Sequence, residues 1–176
     1  NNLLPLGLSF YSFMSICYLH AVFKRQIKPK FIDTLVFLSF FAVIVSGPIL
    51  NPKRFLRSLN KKKIFCKSNE IYTLLCLAIF KKLIVANYLF ELVIPIFNAQ
   101  SEPAYILLAA CFGYTAMIYA DFSGYIDFVL ALGLMCGFKL PRNFNRPFLA
   151  ENLIEFWRRW HITLMAFFKN FIYIPL

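Results

Sequence analysis

The stretch EFWRRWHITL, residues 155–164, places a histidine among two tryptophans, two arginines and a carboxylate. On a helix, Trp157, Trp160 and His161 would share one face, because they follow one another at spacings of three and one residues and continue at Leu164. Histidine is suited to general-base chemistry, since its ordinary pKa of about 6.5 leaves a neutral imidazole at pH 7. The residue pattern by itself also allows a packed, hydrogen-bonded helix histidine without chemistry.

Composition indicates the kind of protein that carries this stretch. Hydrophobic residues make up 60% of the 176 residues, and 22 of them are phenylalanine. Soluble domains contain about 45–50% apolar residues. The sequence therefore predicts an all-α, polytopic membrane protein surrounded by membrane lipids.

The charge pattern supports the same class. The net charge is +11, but the basic residues separate apolar stretches and do not gather on one soluble face, so we expect no nucleic-acid binding. Basic loops are typical of the cytoplasmic side, which predicts a multi-pass protein of the cytoplasmic (inner) membrane. The five cysteines form no C-x-x-C pair, so we expect neither disulfides nor a metal site.

Four apolar regions, at about 3–23, 31–50, 71–97 and 104–138, could lie in the membrane. Full crossings by the first two would put strongly basic loops on opposite sides, which the charge rule disfavours. We therefore expect one of them to re-enter or break, with Gly47-Pro48 as the break.

Charged residues inside the third and fourth regions need an explanation. Lys81 and Lys82 are predicted to divide the third region into two shorter helices and to snorkel to an interface. Asp121 and Asp127 lie in the fourth region, where Gly124 predicts a break. Each carboxylate is expected to pair with an arginine or cap a helix half, and the alternative is a role in transport.

Ser123 raises the alternative of a serine nucleophile acting with His161 and Asp121. The flanking sequence is DFSGY, which lacks the first glycine of the G-x-S-x-G elbow, and no soluble α/β pattern surrounds it. The motif fragment is weak evidence for this chemistry.

A loop and a helix complete the sequence. Residues 137–151 have the proline and asparagine content of a loop, and a helix is predicted over about 151–172 with Asn152 available as a cap. Glu155 and Arg159, four residues apart, are expected to pair on its surface.

Several of these stretches together resemble a known family. DFSGYIDF at 121–128, GFKLPRNFNRPFLAENLIEFWRRWHITL at 137–164 and FIYIPL at 171–176 are similar to the core of the membrane-bound O-acyltransferases. LPLGLSFYSF at 4–13 and FLSFFAVIVSGPIL at 37–50 match in the same order. The resembling branch is that of bacterial alginate O-acetylation, with relatives in peptidoglycan O-acetylation and teichoic-acid D-alanylation.

The resemblance implies a fold and a set of site residues. It implies spans and re-entrant helices around a tunnel, of which residues 1–176 would be an incomplete part, and it matches His161 to one of two family histidines. The second histidine would lie beyond Leu176, so these residues alone are expected to be an inactive internal fragment. Tunnel-lining or orienting roles are implied for Asp121, Ser123, Asp127, Asn143, Asn145, Arg146, Glu155, Trp157, Arg158, Arg159 and Trp160. Arg158 or Arg159 could instead contact a donor phosphate, although pairing with Glu151 or Glu155 is the simpler expectation.

The resemblance also implies a reaction. An acyl group, acetyl in the first instance, would pass from a cytoplasmic thioester donor, acetyl-CoA or an acyl carrier protein, to a polysaccharide hydroxyl outside. No cofactor is expected to remain bound, and a periplasmic or extracellular acyltransferase partner is implied. D-alanyl transfer to teichoic acid, membrane transport and a non-catalytic scaffold are the alternatives.

Overall fold

Helices provide all the regular secondary structure in the residues that the structure, a computed structural model, describes: 7–59, 68–99 and 101–175. This confirms the all-α prediction for those ranges. The chain divides into two units, one formed by Asn1–Cys66 with Leu132–Leu176 and the other by Lys67–Ala131.

The first unit contains five helices among its described residues. They are α1 (Leu8–Phe23), α2 (Phe31–Leu38), α3 (Pro52–Leu59), α6 (Leu153–Arg159) and α7 (Ile162–Tyr173), the last of which ends in the π-helical segment Lys169–Tyr173. A 3₁₀ turn, Pro147–Leu149, precedes α6.

Aromatic side chains form the core of this unit. The ring of Phe55 lies 5.6 Å from Phe37, 5.0 Å from Phe40 and 5.2 Å from Phe138, measured between centroids. Tilted and edge contacts at these separations are the favourable geometries for aromatic pairs. The cluster joins α2, α3 and the segment that follows Met135.

The second apolar region breaks as predicted, but not where predicted. Helix α2 ends at Leu38, well before Gly47-Pro48, and the chain continues in turns over residues 41–46. Phe40 and Val43 are 8% and 2% exposed, so the turns bury both side chains. Burial in the aromatic core therefore decides the break point, and the prediction of Gly47-Pro48 was wrong.

The second unit is built from the two longest helices described. These are α4 (Ser68–Asn98), which includes the π-helical segment Phe80–Ala86, and α5 (Ala104–Met135), whose end from Leu132 belongs to the first unit. With 31 and 32 residues, both are long and apolar enough to cross a membrane. They confirm the third and fourth apolar regions as helical candidates for spans.

Neither of these helices divides as the sequence predicted. Lys81 and Lys82 lie within α4, where the helix widens into the π-helical segment without ending. Gly124 lies within the continuous α5. A Cβ atom at Gly124 would be 3.1 Å from the Cβ of Lys81 and 3.2 Å from the carbonyl oxygen of Ala78, so this glycine permits close packing of the two helices and does not break α5.

Two ion pairs join α4 to α5 beside this contact. Lys81 Nζ lies 2.6 Å from Asp127 Oδ2, and Lys82 Nζ pairs with Asp121 Oδ1. The carboxylates are therefore paired as expected, although with lysines of the neighbouring helix and not with arginines. Adjacent lysines reach acids six positions apart because they extend from a widened π-helical turn on long, flexible stems.

Removing one charge of the buried pair should destabilise the protein. Asp127→Asn leaves the Lys81 ammonium, whose side chain is 25% exposed, without its partner, and such a loss costs on the order of 3 kcal/mol. The apparent melting temperature of the detergent-solubilised full-length protein should fall. The double variant Lys81→Gln with Asp127→Asn should recover most of the loss, because it leaves no unpaired charge. Equal stability of the single variant and the wild type would contradict the pairing.

Candidate active site at the His161 turn

His161 occupies a sharp turn between α6 and α7. Its backbone angles are φ +43° and ψ +51°, in the left-handed region, and Trp160 before it is extended at φ −100° and ψ 130°. Non-glycine residues rarely adopt positive φ, and they cluster at functional sites when they do. The predicted continuous helix over 151–172 is therefore wrong at this point.

Asn143 fixes the start of α7 from a distant part of the chain. Its backbone oxygen accepts a hydrogen bond of 2.9 Å from the N–H of Ile162. Its side-chain Oδ1 accepts bonds from the N–H of Thr163 at 3.2 Å and from the Thr163 hydroxyl at 2.6 Å. These contacts satisfy helix N-terminal donors that have no partner inside the helix, and they replace the helical continuation through His161.

Thr163 extends this network to a third segment. Its Oγ1 accepts a hydrogen bond of 3.0 Å from the N–H of Ile49. The hydroxyl thus donates to Asn143 and accepts from the chain that follows Gly47-Pro48. Three segments that are far apart in sequence are held at the His161 turn by two side chains.

The imidazole of His161 is buried in an aromatic environment. The residue is 7% exposed, and its ring stacks on Phe10 of α1 with centroids 6.2 Å apart and planes 14° apart. Burial lowers the pKa of His161 below its ordinary value, because an apolar environment disfavours the imidazolium. The neutral imidazole required of a base is therefore the favoured form.

Trp160 and Trp157 lie in different environments. Trp160 contacts Phe144 at 5.1 Å and stacks on Phe156 at 5.5 Å between ring centroids. Trp157 is 47% exposed and contacts Phe156. The single aromatic face predicted to carry both tryptophans and His161 is wrong, because the turn at Trp160 and His161 interrupts the helix.

The polar residues of α6 stabilise its two ends. Asn152 Oδ1 accepts a hydrogen bond of 2.8 Å from the N–H of Glu155, which confirms the predicted cap. The N–H of Glu151 bonds to Glu155 Oε2 at 2.9 Å, and Arg159 pairs with Glu155 as predicted. The Glu151 N–H first, and Arg159 second, hold the pKa of the Glu155 carboxyl below its usual range.

The remaining motif residues surround the turn at the surface. The N–H of Asn145 donates to the carbonyl oxygen of Arg159 at 2.9 Å. Arg146 has a left-handed backbone, φ +47°, before the 3₁₀ turn, and its side chain is exposed, as are those of Asn145 and Arg158. These three side chains therefore lie outside the buried network of Asn143, Thr163 and His161.

Three predicted site residues belong to the second unit. Asp121 and Asp127 are engaged by lysines, as described above, and Ser123 is 2% exposed. Its Oγ has no hydrogen-bond partner among the residues that the structure describes. A serine nucleophile needs a base on its hydroxyl, so the alternative of a Ser123, His161 and Asp121 triad gains no support.

Sequence reasoning missed three contributors to the network. Thr163 and Phe10 contact the turn through long-range packing, which no local spacing reveals. Lys81 and Lys82 were noted, but the partners of the two acids could not be found without the contact between α4 and α5. In the described ranges, no group of three or more His, Cys, Asp or Glu residues could hold a metal ion.

Comparison with known proteins identifies the family of this site. The profile described as MBOAT, membrane-bound O-acyltransferase family, matches residues 11–176. The chain belongs to the membrane-bound O-acyltransferase family. Membership makes it part of a polytopic membrane protein, in agreement with the two long apolar helices.

Three curated relatives of this O-acyltransferase show its neighbours. It is 36% identical to the "Probable alginate O-acetylase AlgI" of Pseudomonas aeruginosa over 99% of this chain and 34% of the relative. It is 30% identical to the peptidoglycan O-acetyltransferase of Helicobacter pylori over 99% of this chain and 39% of the relative. Identity to the teichoic acid D-alanyltransferase of Bacillus subtilis is 31%, over 96% and 45%. The chain spans about a third to a half of the length of these relatives.

The Asn143 network predicts a specific loss of stability. Asn143→Ala removes two hydrogen bonds and leaves a cavity in a fully buried position, 0% exposed, at a combined cost of about 2–4 kcal/mol. The matched control is Asn145→Ala, whose side chain is exposed and whose backbone bond remains, with an expected effect within about 0.5 kcal/mol. Melting temperatures of both full-length variants in detergent test this. Similar losses in the two variants would show that the network does not stabilise the turn.

The lowered pKa of His161 predicts a pH dependence of stability. As pH falls below about 6.5, the unfolded chain takes up a proton at this histidine and the folded chain does not, so folding becomes less favourable. The wild type should lose stability relative to His161→Asn as pH falls, with no such difference above pH 7. Asparagine tolerates the left-handed backbone, and His20 is common to both proteins. A stability difference that does not change with pH would contradict the buried neutral imidazole.

Proposed function

We propose that this chain is part of an enzyme that acetylates a hydroxyl of a cell-envelope or secreted polysaccharide. The acyl group would come from a cytoplasmic thioester, acetyl-CoA or an acyl carrier protein, and would cross the membrane within the full-length protein. The observation that carries the proposal is the buried, neutral imidazole of His161, held at a left-handed turn by Asn143 and Thr163.

The chemistry of ester formation explains the value of such an imidazole. The polysaccharide hydroxyl gives its proton to the unprotonated ring nitrogen as its oxygen attacks the thioester carbonyl. The new C–O bond forms, the C–S bond breaks, and the proton then passes to the leaving thiolate. Positioned general-base catalysis contributes about 10²–10⁴ in rate, and a fixed turn keeps the ring in the orientation that this step requires.

Asn143 offers a second contribution to the same step. Its Nδ2 amide is buried and has no hydrogen-bond partner among the described residues. A donor of this kind suits the oxygen of the thioester carbonyl, which gains negative charge as the hydroxyl attacks. We assign Asn143 a double role, in which Oδ1 fixes the turn and Nδ2 faces the developing oxyanion.

The wider assignment follows the relatives. Alginate and peptidoglycan O-acetylation supply the acetyl group and the polysaccharide acceptor of the proposal. A tunnel across the membrane and a periplasmic or extracellular acyltransferase partner belong to it as well. Transport receives less support, because the intramembrane acids and the lysines that suggested it neutralise one another.

D-alanyl transfer to teichoic acid is the second candidate. The similarity to the teichoic acid D-alanyltransferase of Bacillus subtilis, at 31% identity, favours it. The ester chemistry is the same in both reactions, so the acyl group released from the envelope distinguishes them.

The test is the ester content of the cell envelope and secreted polysaccharide. Cells would carry the full-length gene with His161, His161→Asn or His161→Ala at equal membrane abundance, and alkali-released acetate and D-alanine would be separated by chromatography. Acetate should fall at least about a hundredfold in both variants. Because asparagine fits the left-handed turn, its loss of ester isolates the imidazole from the fold.

The other outcomes are equally informative. Wild-type ester levels in His161→Asn would remove the histidine from the mechanism. Release of D-alanine in place of acetate would select the second candidate. Neither ester in the wild type would leave the scaffold interpretation.

A further inference from the structure

A cavity of about 690 Å³ lies inside the first unit. Its walls come from α1, α3, the segment around 138–141 and α7. Small-molecule sites have volumes of roughly 300–1,000 Å³, so the cavity is large enough for an extended ligand and much larger than a water or a single phosphate.

The charge of the lining has one sign. Arg54 and Lys139 line the cavity, and its lining includes no aspartate or glutamate. Both cationic side chains are exposed, and within the described ranges neither takes part in a salt bridge. Uncompensated cations around a concave surface with low-dielectric walls attract anions.

The two cations are brought to the same part of the cavity by an aromatic contact. Arg54 precedes Phe55 in α3, and Lys139 follows Phe138. The rings of Phe55 and Phe138 stack with centroids 5.2 Å apart and planes 15° apart. Because both rings also line the cavity, the stack fixes the two backbones that carry the cations.

The rest of the cavity suits an uncharged arm. Phe167 and Phe171 stack at 4.7 Å along one wall, and Asn51 and Asn170 contribute amide groups. Apolar surface with a few amides matches a chain of methylene and amide units. Thr163 also lines the cavity, and it is the residue that Asn143 holds at the His161 turn. The cavity therefore reaches the wall of the candidate active site.

We propose that this cavity binds the phosphate-bearing arm of the acyl donor, with Arg54 and Lys139 on the phosphate and the thioester end directed toward Thr163. The ligand class is a phosphate ester on a slender amide chain, as in 4′-phosphopantetheine. The assignment rests on the proposed function, because it supplies the donor end of the same reaction. An anionic lipid headgroup shares the phosphate chemistry and is the competing source.

The test measures binding to the full-length protein in phosphatidylcholine nanodiscs. The probes are pantetheine 4′-phosphate and pantetheine, which differ only in the phosphate. The test variant is Arg54→Gln with Lys139→Gln. The control is Arg57→Gln with Arg142→Gln, which removes the same charge from neighbouring exposed positions that do not line the cavity.

The wild type and the control should bind pantetheine 4′-phosphate more tightly than pantetheine. The test variant should bind the phosphorylated probe at least about tenfold more weakly and lose the preference for phosphate. Equal affinities of test and control variants would overturn the assignment, as would a wild type with no preference for phosphate.

Two further arms separate the alternatives. Displacement of the probe from the wild type by phosphatidylglycerol in the nanodisc would assign the cavity to a lipid headgroup and overturn the donor assignment. Binding requires neither acceptor nor turnover, so it is independent of the ester measurement. A protein that forms ester but binds both probes equally overturns this inference alone. A protein that binds through Arg54 and Lys139 but forms no ester overturns the proposed function alone.

Discussion

The hydrogen bonds that Asn143 makes to the first residues of α7 decide the geometry of the candidate site. A helix that passed straight through His161 would satisfy the N–H groups of Ile162 and Thr163 internally. Asn143 supplies oxygen acceptors to those groups from another segment, so the chain can turn at His161 without losing hydrogen bonds. The left-handed backbone of His161 follows from this exchange, and the ring is directed into the buried environment of Phe10.

The same principle governs the second unit, where charges take the place of amides. Two carboxylates on α5 would be costly in an apolar environment without partners. The π-helical segment of α4 presents Lys81 and Lys82 to them, and Gly124 allows the helices to approach closely enough for both pairs to form. The irregular turn, the glycine and the four charges therefore form one structural solution.

Networks that join distant segments also connect the site with the neighbouring cavity. Thr163 contributes to the His161 turn and to the cavity wall, and Ile49 shares both environments through its N–H and its side chain. A ligand in the cavity would meet a wall that hydrogen bonds already hold in place. This arrangement favours a rigid junction between donor binding and chemistry, which is what a reaction between two bound substrates requires.

The sequence by itself determined the features that depend on composition and short spacing. Apolar content and length predicted the all-α membrane class and the long helices α4 and α5. Local chemistry predicted the Asn152 cap and the pair of Glu155 with Arg159, because their partners lie within one helical turn. Several collinear motifs indicated the family. Tertiary structure decided the turn at His161, the end of α2 at Leu38, the continuity of α5 through Gly124 and the lysine partners of Asp121 and Asp127. Each of these depends on residues 20 or more positions apart or on burial in a shared core, and local spacing carries no information about which distant group will supply a hydrogen bond or a charge.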